Sequence, residues 1–126
     1  ALVRRQRQMC IRDSVQPLII AMIEDIDAIK NLRKILQVES LDGILIGPYD
    51  LSASMGISGK FENPKFKKII NFIKSECRNY KISCGLHLID PKYSKLKKLV
   101  KEGYNFVPYS TDTFIINNAV KNLFRK

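Results

Sequence analysis

Short unbroken apolar runs alternate along this chain with longer segments in which apolar residues return every three or four positions. No other feature restricts the fold as strongly. A strand buried on both faces reads as a continuous apolar run, and a helix lying on a sheet reads with a period near 3.6. Parallel strands need a crossover of a dozen or more residues, which a helix supplies. Repetition of the pair predicts an α/β fold, a parallel sheet covered by helices.

The first run is Leu18–Ile23, ending at Glu24. Asp25 and Asp27 follow where a first helical turn favours negative charge, and Ile26, Ile29, Leu32 and Leu36 continue at helical spacing. The second strand is expected over Gly43–Gly47. It runs into Pro48-Tyr49-Asp50 and then a Gly/Ser-rich loop through Gly56 and Gly59. Asn63-Pro64 reads as a helix cap with Pro at the first helical position. Phe66, Ile69, Ile70, Ile73 and Cys77 then form one apolar face. The third run is Ile82–Ile89. Its helix carries Leu96, Leu99 and Val100 on one face and closes at Gly103. A fourth strand is expected over Tyr104–Pro108, and a last helix holds Ile115, Ile116, Ala119, Val120, Leu123 and Phe124. Two architectures fit such a series of βα units. One is an open doubly wound sheet. The other is half of a (β/α)8 barrel, since a whole barrel takes ~250 residues. No G-x-G-x-x-G opens the first turn, and Gly56-Ile57-Ser58-Gly59-Lys60 lacks the spacing of a P-loop, which argues against the nucleotide-binding open sheet.

The length of 126 residues, with 45% hydrophobic and 27% charged, fits one globular unit and excludes a disordered tail. No apolar run reaches the ~18 residues of a membrane-spanning helix. Cys10, Cys77 and Cys84 form neither a C-x-x-C pair nor a disulfide framework, so the reducing cytoplasm is the expected compartment. The net charge is +10, from 22 Lys+Arg against 12 Asp+Glu. The excess is mostly Lys spread over several helices and reads as solvated faces, not as a nucleic-acid or membrane surface. Ala1–Ser14 differs from the rest: it holds four Arg and no Lys, shows no periodicity, and lacks the apolar core of a signal peptide. Arg7–Ser14, RQMCIRDS, resembles translated sequencing-adapter sequence. Residues 1–14 are therefore expected to be non-native, or else a disordered basic arm, with a partial barrel domain over 15–126.

Glu24 and Asp50 are the informative polar residues. Each closes a buried apolar strand, and the two strands are successive. In a barrel the strand C-termini face the active site. Neighbouring parallel strands lie about 4.8 Å apart, so two carboxylates there can converge on one cation of the Mg²⁺ or Mn²⁺ type. An acid after a strand also commonly caps the following helix, and both readings stand on spacing alone.

Asp50 lies within Ile46–Gly56, IGPYDLSASMG. This block resembles the signature of the HpcH/HpaI family of class II pyruvate aldolases, related to citrate lyase β subunits. The resemblance extends to Met22-Ile23-Glu24, Gly85-Leu86-His87, Glu102-Gly103-Tyr104 and Ser110-Thr111-Asp112. It implies that residues 15–126 are the C-terminal half, about four βα units, of a (β/α)8 TIM barrel. It implies a carbon–carbon lyase that cleaves 4-hydroxy-2-oxo acids to pyruvate and an aldehyde. Glu24 and Asp50 match the family's ligands to a divalent cation (Mg²⁺, Mn²⁺ or Co²⁺), which holds pyruvate and stabilises its enolate. No Lys need form an imine in such chemistry. Backbone N–H groups around Tyr49 and Asp50 match those that hold the pyruvate carboxylate, and Gly47 lets that backbone approach the ligand. His87 matches a position nearer the aldehyde. Met22 stands where many relatives have a substrate-contacting Gln, and Tyr49 where Ser or Ala is common. The family's catalytic His, its Asp partner and an Arg belong to the N-terminal half, so no catalytic residue is expected within this chain. The resemblance further implies small-molecule partners and a homo-oligomer, a hexamer in the family. Two other readings are a CoA-ester lyase of the citrate lyase β type, which shares the Glu/Asp pair, and a non-catalytic flavodoxin-like binding module.

Overall fold

The computed structural model describes residues 17–124, so the expectation for residues 1–14 lies outside the described residues. Three parallel strands form the sheet: β1 (Ile20–Ile23), β2 (Gly43–Ile46) and β3 (Ser83–Leu86), in the order β1-β2-β3. The helices among the described residues are α1 (Ile26–Lys30), α2 (Leu32–Leu36), α3 (Pro48–Ser54), α4 (Pro64–Tyr80), α5 (Tyr93–Lys101) and α6 (Asp112–Leu123). Sequential strand order matters here. Right-handed crossovers between successive neighbours keep every connecting helix on one face, whereas a doubly wound sheet must reverse its order to cover both. This order is that of successive strands in a (β/α)8 barrel, and one βαβαβ half of a doubly wound sheet shares it.

Side-chain burial follows the same division. Ile23, Ile44, Ile46 and Cys84 point into the helical layer and are buried with Leu32, Leu36, Leu51, Phe66, Ile73 and Cys77. Alternate residues point the other way, so Ile20 and Met22 remain 46% and 54% exposed. The expectation of strands buried on both faces thus holds for one face within the described residues. On the open face the Phe106 ring lies over Gly43 and Gly85. A Cβ at Gly85 would overlap that ring.

Several boundaries differ from the sequence expectation. The expected helix after Asp25 is split at Asn31 into α1 and α2. The Asn31 side-chain amide donates to the Asp27 carbonyl at 3.0 Å, competing with the backbone for it. The expected fourth strand, Tyr104–Pro108, forms no ladder. It touches β3 and its extension through two isolated parallel bridges, Gly85 to Phe106 and Leu88 to Tyr109. Two local groups interrupt the pairing. The Asn105 side-chain oxygen, not a backbone carbonyl, accepts from the Cys84 N–H at 3.0 Å, and Pro108 has no N–H to donate. Strand β1 begins two residues later than expected, and β3 covers only the centre of the expected Ile82–Ile89 run. Helix α6 forms as expected, but its apolar face is uncovered: Ile116 is 63% and Leu123 80% exposed.

A bidentate ion pair ties α2 to α4. Arg33 donates from Nε to Glu76 at 2.7 Å and from Nη2 at 3.2 Å. The hydrogen bond from Arg33 holds the Glu76 carboxyl below its usual range. A depressed folded-state value means stabilisation that is complete above the unfolded carboxyl value, about 4.3, and lost as pH falls through the lower folded value. Glu76→Gln is expected to flatten the acid side of a Tm-versus-pH curve and leave its neutral-to-alkaline shape unchanged.

The open sheet face and α6 together expose Ile20, Met22, Phe114, Ile116 and Leu123. Covering ~400 Å² of such surface is worth ~10 kcal/mol, comparable to the whole stability of a domain. The 126-residue chain alone is expected to self-associate or aggregate. Sedimentation velocity checks this: a cooperative monomer at tens of micromolar would contradict it.

Candidate active site

Pairing places Ile23, Ile46 and Leu86 level across the sheet. The residues that follow them, Glu24, Gly47 and His87, therefore leave the strands at one height. Two hydrogen bonds extend the ladder there: the Gly47 N–H donates to the Ile23 carbonyl at 3.1 Å, and the His87 N–H to the Ile46 carbonyl at 3.2 Å. Regular β3 ends at Leu86, so His87 lies one residue beyond the strand and not within it as expected. Residues two apart on a strand share a face, which puts Met22 with Glu24 and Leu45 with Gly47 on the open side.

Glu24 and Gly47 touch. A Cβ built on Gly47 would lie 3.0 Å from Glu24 Cγ and 3.4 Å from its Oε1. A side chain at Gly47 would crowd the Glu24 side chain, most closely at Cγ. Gly47 then caps α3, with Pro48 at its first position and Asp50 in its first turn. The segment after Asp50 was expected to be loop, but Pro48–Ser54 is helical because Leu51 and Ser52 are fully buried on its inner side. The first intrahelical donor is the Leu51 N–H, to the Gly47 carbonyl at 3.0 Å. The N–H groups of Tyr49 and Asp50 precede it and have no carbonyl to meet inside the helix. The Tyr49 ring packs edge-on against Phe61 at 4.9 Å, which directs it to a neighbouring side chain.

Met22, Glu24, Gly47, Tyr49, Asp50 and His87 line one cavity of about 50 Å³. The structure thus brings together every site residue that the sequence singled out. Glu24 is half-buried and Asp50 exposed, and neither carboxylate has a salt bridge among the described residues. Among those residues no group of three or more His, Cys, Asp or Glu forms a complete metal cage. Two unpaired carboxylates at one small cavity are nonetheless a hard-oxygen donor set. Mg²⁺ and Mn²⁺ commonly take a pair of this kind from protein and the rest of their shell from water and substrate. The chemistry of the donor set and the space at Gly47 both fit a divalent cation.

Sequence reasoning missed the serines that set this geometry. Ser52 Oγ donates to the Tyr49 carbonyl at 2.8 Å and accepts from the Gly59 N–H at 2.9 Å, fastening the loop that follows α3. Ser54 Oγ accepts from the Ile26 N–H at 2.8 Å and lies 3.2 Å from Asp25 Oδ2, which joins the start of α1 to α3. The available signal was the pair of hydroxyls flanking Ala53 on a short amphipathic turn. Ser110 was also missed as a site neighbour. Its φ is 62°, its carbonyl is 3.5 Å from His87 Nε2, and its buried hydroxyl has no hydrogen-bond partner among the described residues.

The family model of HpcH/HpaI aldolase/citrate lyase matches residues 1–119. The chain belongs to this family. It is 34% identical over 104 residues to the 2-keto-3-deoxy-L-rhamnonate aldolase of Salmonella paratyphi A (strain ATCC 9150 / SARB42), a match covering 82% of this chain and 38% of that protein. The crystal structure of an HpcH/HpaI aldolase from Desulfitobacterium hafniense DCB-2 superposes with a TM-score of 0.76 at 25% identity, over 83% of this chain and 40% of that one. A family protein from Burkholderia cenocepacia J2315 gives 0.77 at 18% identity, over 84% and 40%, and shows the same fold. The chain thus spans about two-fifths of the length of the relatives it matches, and its fold is that part of the HpcH/HpaI barrel. No described helix is long and apolar enough to cross a membrane.

The Gly47 contact gives a direct test of how the HpcH/HpaI chain holds Glu24. In the intact protein Gly47→Ala is expected to shift the Glu24 side chain and weaken Mn²⁺ binding about tenfold. Gly56→Ala is the control for a glycine with no neighbouring atom within 4 Å of its Cβ position. Water-proton relaxation with Mn²⁺ measures both.

Proposed function

We propose that the intact protein is a cytoplasmic, homo-oligomeric class II aldolase that cleaves 4-hydroxy-2-oxo acids to pyruvate and an aldehyde, with Glu24 and Asp50 holding a divalent cation. The observation that carries this reading is the convergence of both carboxylates on one cavity beside the Gly47 backbone. The name of the Salmonella relative supports the substrate class, since a 2-keto-3-deoxy sugar acid bears the 2-oxo and 4-hydroxy groups that retro-aldol cleavage requires. When bound, the cation supplies Lewis-acid stabilisation of negative charge developing on the keto oxygen.

The chain's own residues account for binding and orientation. The Tyr49 and Asp50 N–H groups, unpaired within α3, receive the substrate carboxylate. Gly47 leaves room for Glu24 and for the ligand at once. Met22 offers an apolar wall in place of an amide, so this side of the pocket orients substrate by exclusion of water and not by a hydrogen bond. His87, with its ring near the Ser110 carbonyl, faces the aldehyde end and selects among aldehydes. The base that completes the reaction belongs to the part of the barrel outside this chain.

EDTA is expected to abolish pyruvate release by the intact enzyme, and Mg²⁺, Mn²⁺ or Co²⁺ to restore it. Borohydride trapping of a pyruvate adduct would instead reveal an imine mechanism. Asp50→Asn and Glu24→Gln should each lower kcat/KM on the order of 100-fold by removing one anionic ligand of similar size. His87→Ala should alter aldehyde preference and spare proton exchange at the pyruvate methyl group. Loss of that exchange in His87→Ala equal to the loss in Asp50→Asn would refute the assignment of roles.

A further inference from the structure

A second cavity lies at the opposite end of the sheet from Glu24 and Asp50. It measures about 270 Å³, and its walls are the last turn of α4, the start of β3 and the turn after α5. Lys74, Arg78 and Lys81 line it, and no acidic residue does. Both nearby acids are engaged elsewhere: Glu76 pairs with Arg33, and the Glu102 carboxylate is nearest Lys98, at 3.9 Å. Lys74 is held in place, donating to the Glu102 carbonyl at 2.7 Å with its ammonium 4.5 Å from the centre of the Tyr104 ring. Arg78 and Lys81 have no carboxylate partner among the described residues.

Lys81 occupies this wall at a conformational cost. It ends α4 at φ 58°, ψ 30°, the left-handed position where glycine is the favoured residue. Its N–H donates to the Arg78 carbonyl and the Ile82 N–H to that of Cys77, so carbonyls at the end of the helix are already satisfied. Their negative ends therefore oppose an incoming anion less than free carbonyls would. Size sets the ligand class. Pockets for drug-sized molecules begin near ~300 Å³, so this one suits a metabolite of a few heavy atoms and not a nucleotide.

We propose that this cavity binds a small oxyanion, carboxylate or phosphate, at a site separate from the candidate active site. Cys77 and Cys84 form part of the wall and make the site readable. The hydrogen bond from the Cys77 thiol, aided by the Lys74 ammonium, holds the Cys84 thiol below its usual range despite burial, and the same bond pushes Cys77 up.

The test compares an anionic with a neutral alkylating agent of similar size, iodoacetate and iodoacetamide, on the intact protein in EDTA. EDTA removes any cation from the Glu24/Asp50 pair, whose negative charge then disfavours anions at that end of the sheet. Tryptic cleavage at Arg78 separates Cys77 from Cys84, so each thiol is read by mass spectrometry. At Cys84 the iodoacetate-to-iodoacetamide rate ratio should exceed that of free cysteine about tenfold, and fall towards it in Lys74→Met and Lys81→Gly. Malonate and phosphate should each slow modification, and the stronger protector identifies the carboxylate or the phosphate as the preferred group. Calorimetric titration of both anions supplies a readout independent of thiol reactivity. Saturable binding weakened about tenfold by Lys81→Gly is expected, with no loss of Tm, because glycine suits that backbone position. No saturable binding of either anion below about 10 mM, or binding indifferent to Lys81→Gly, overturns the proposal.

Discussion

Ile23, Ile46 and Leu86 stand side by side across three parallel strands, so the residues after them emerge at one height on one edge of the sheet. The rest of the candidate site depends on that register. A slip of one residue would turn Glu24 and Met22 into the helical layer and bring Ile23 out. It would also separate Glu24 from Gly47, whose missing side chain lets the Glu24 side chain lie close against the backbone. Helix α3 then begins at once, and its first turn delivers Asp50 to the same cavity. Register, glycine and helix start form one device: none of them brings the two carboxylates together alone.

The device is held from behind by hydroxyl groups and not by charge. Ser52 fastens α3 to the loop at Gly59, and Ser54 fastens it to the start of α1. Both carboxylates remain without ion pairs among the described residues, whereas Asp27, Glu62, Glu76, Asp90 and Glu102 each have a Lys or Arg within 4 Å. In a chain of net charge +10 that contrast is informative. Cations are plentiful, yet among the described residues none pairs with the two acids at the C-terminal edge of the sheet. Three of them, Lys74, Arg78 and Lys81, line one cavity at its N-terminal edge. The charge excess therefore has a spatial pattern that the count does not express.

The one-sided sheet is a consequence of sequential strand order. Helices on the outer face bury Ile23, Ile44 and Ile46, while Ile20 and Met22 remain exposed on the face that a complete barrel encloses. An apolar run such as Leu18–Ile23 looks the same whether its second face is covered by a helix or by the rest of a barrel. That is why periodicity alone left an open sheet and a half-barrel equally open, and why the likeness to the HpcH/HpaI aldolase structure decided between them.

The sequence by itself determined the alternation of strands and helices, the acid after the first strand and the family, because these depend on local period and on the contiguous IGPYDLSASMG block; Asp50, expected to close the second strand, sits in the first turn of α3. It misread what depends on partners. Leu51–Ser54 looked like the start of the loop from its Ser content, yet it is helical because Leu51 and Ser52 meet a buried surface, and the expected loop through Gly56 and Gly59 begins only at Met55. Tyr104–Pro108 looked like a regular strand, yet Asn105 and Pro108 interrupt its ladder. Ser54 and Asp25, and likewise Lys74 and the carbonyl of Glu102, meet only when distant segments pack. Spacing along a chain specifies which face a side chain takes. Which groups share a cavity is a matter of register and packing between elements, and only the tertiary structure decided that.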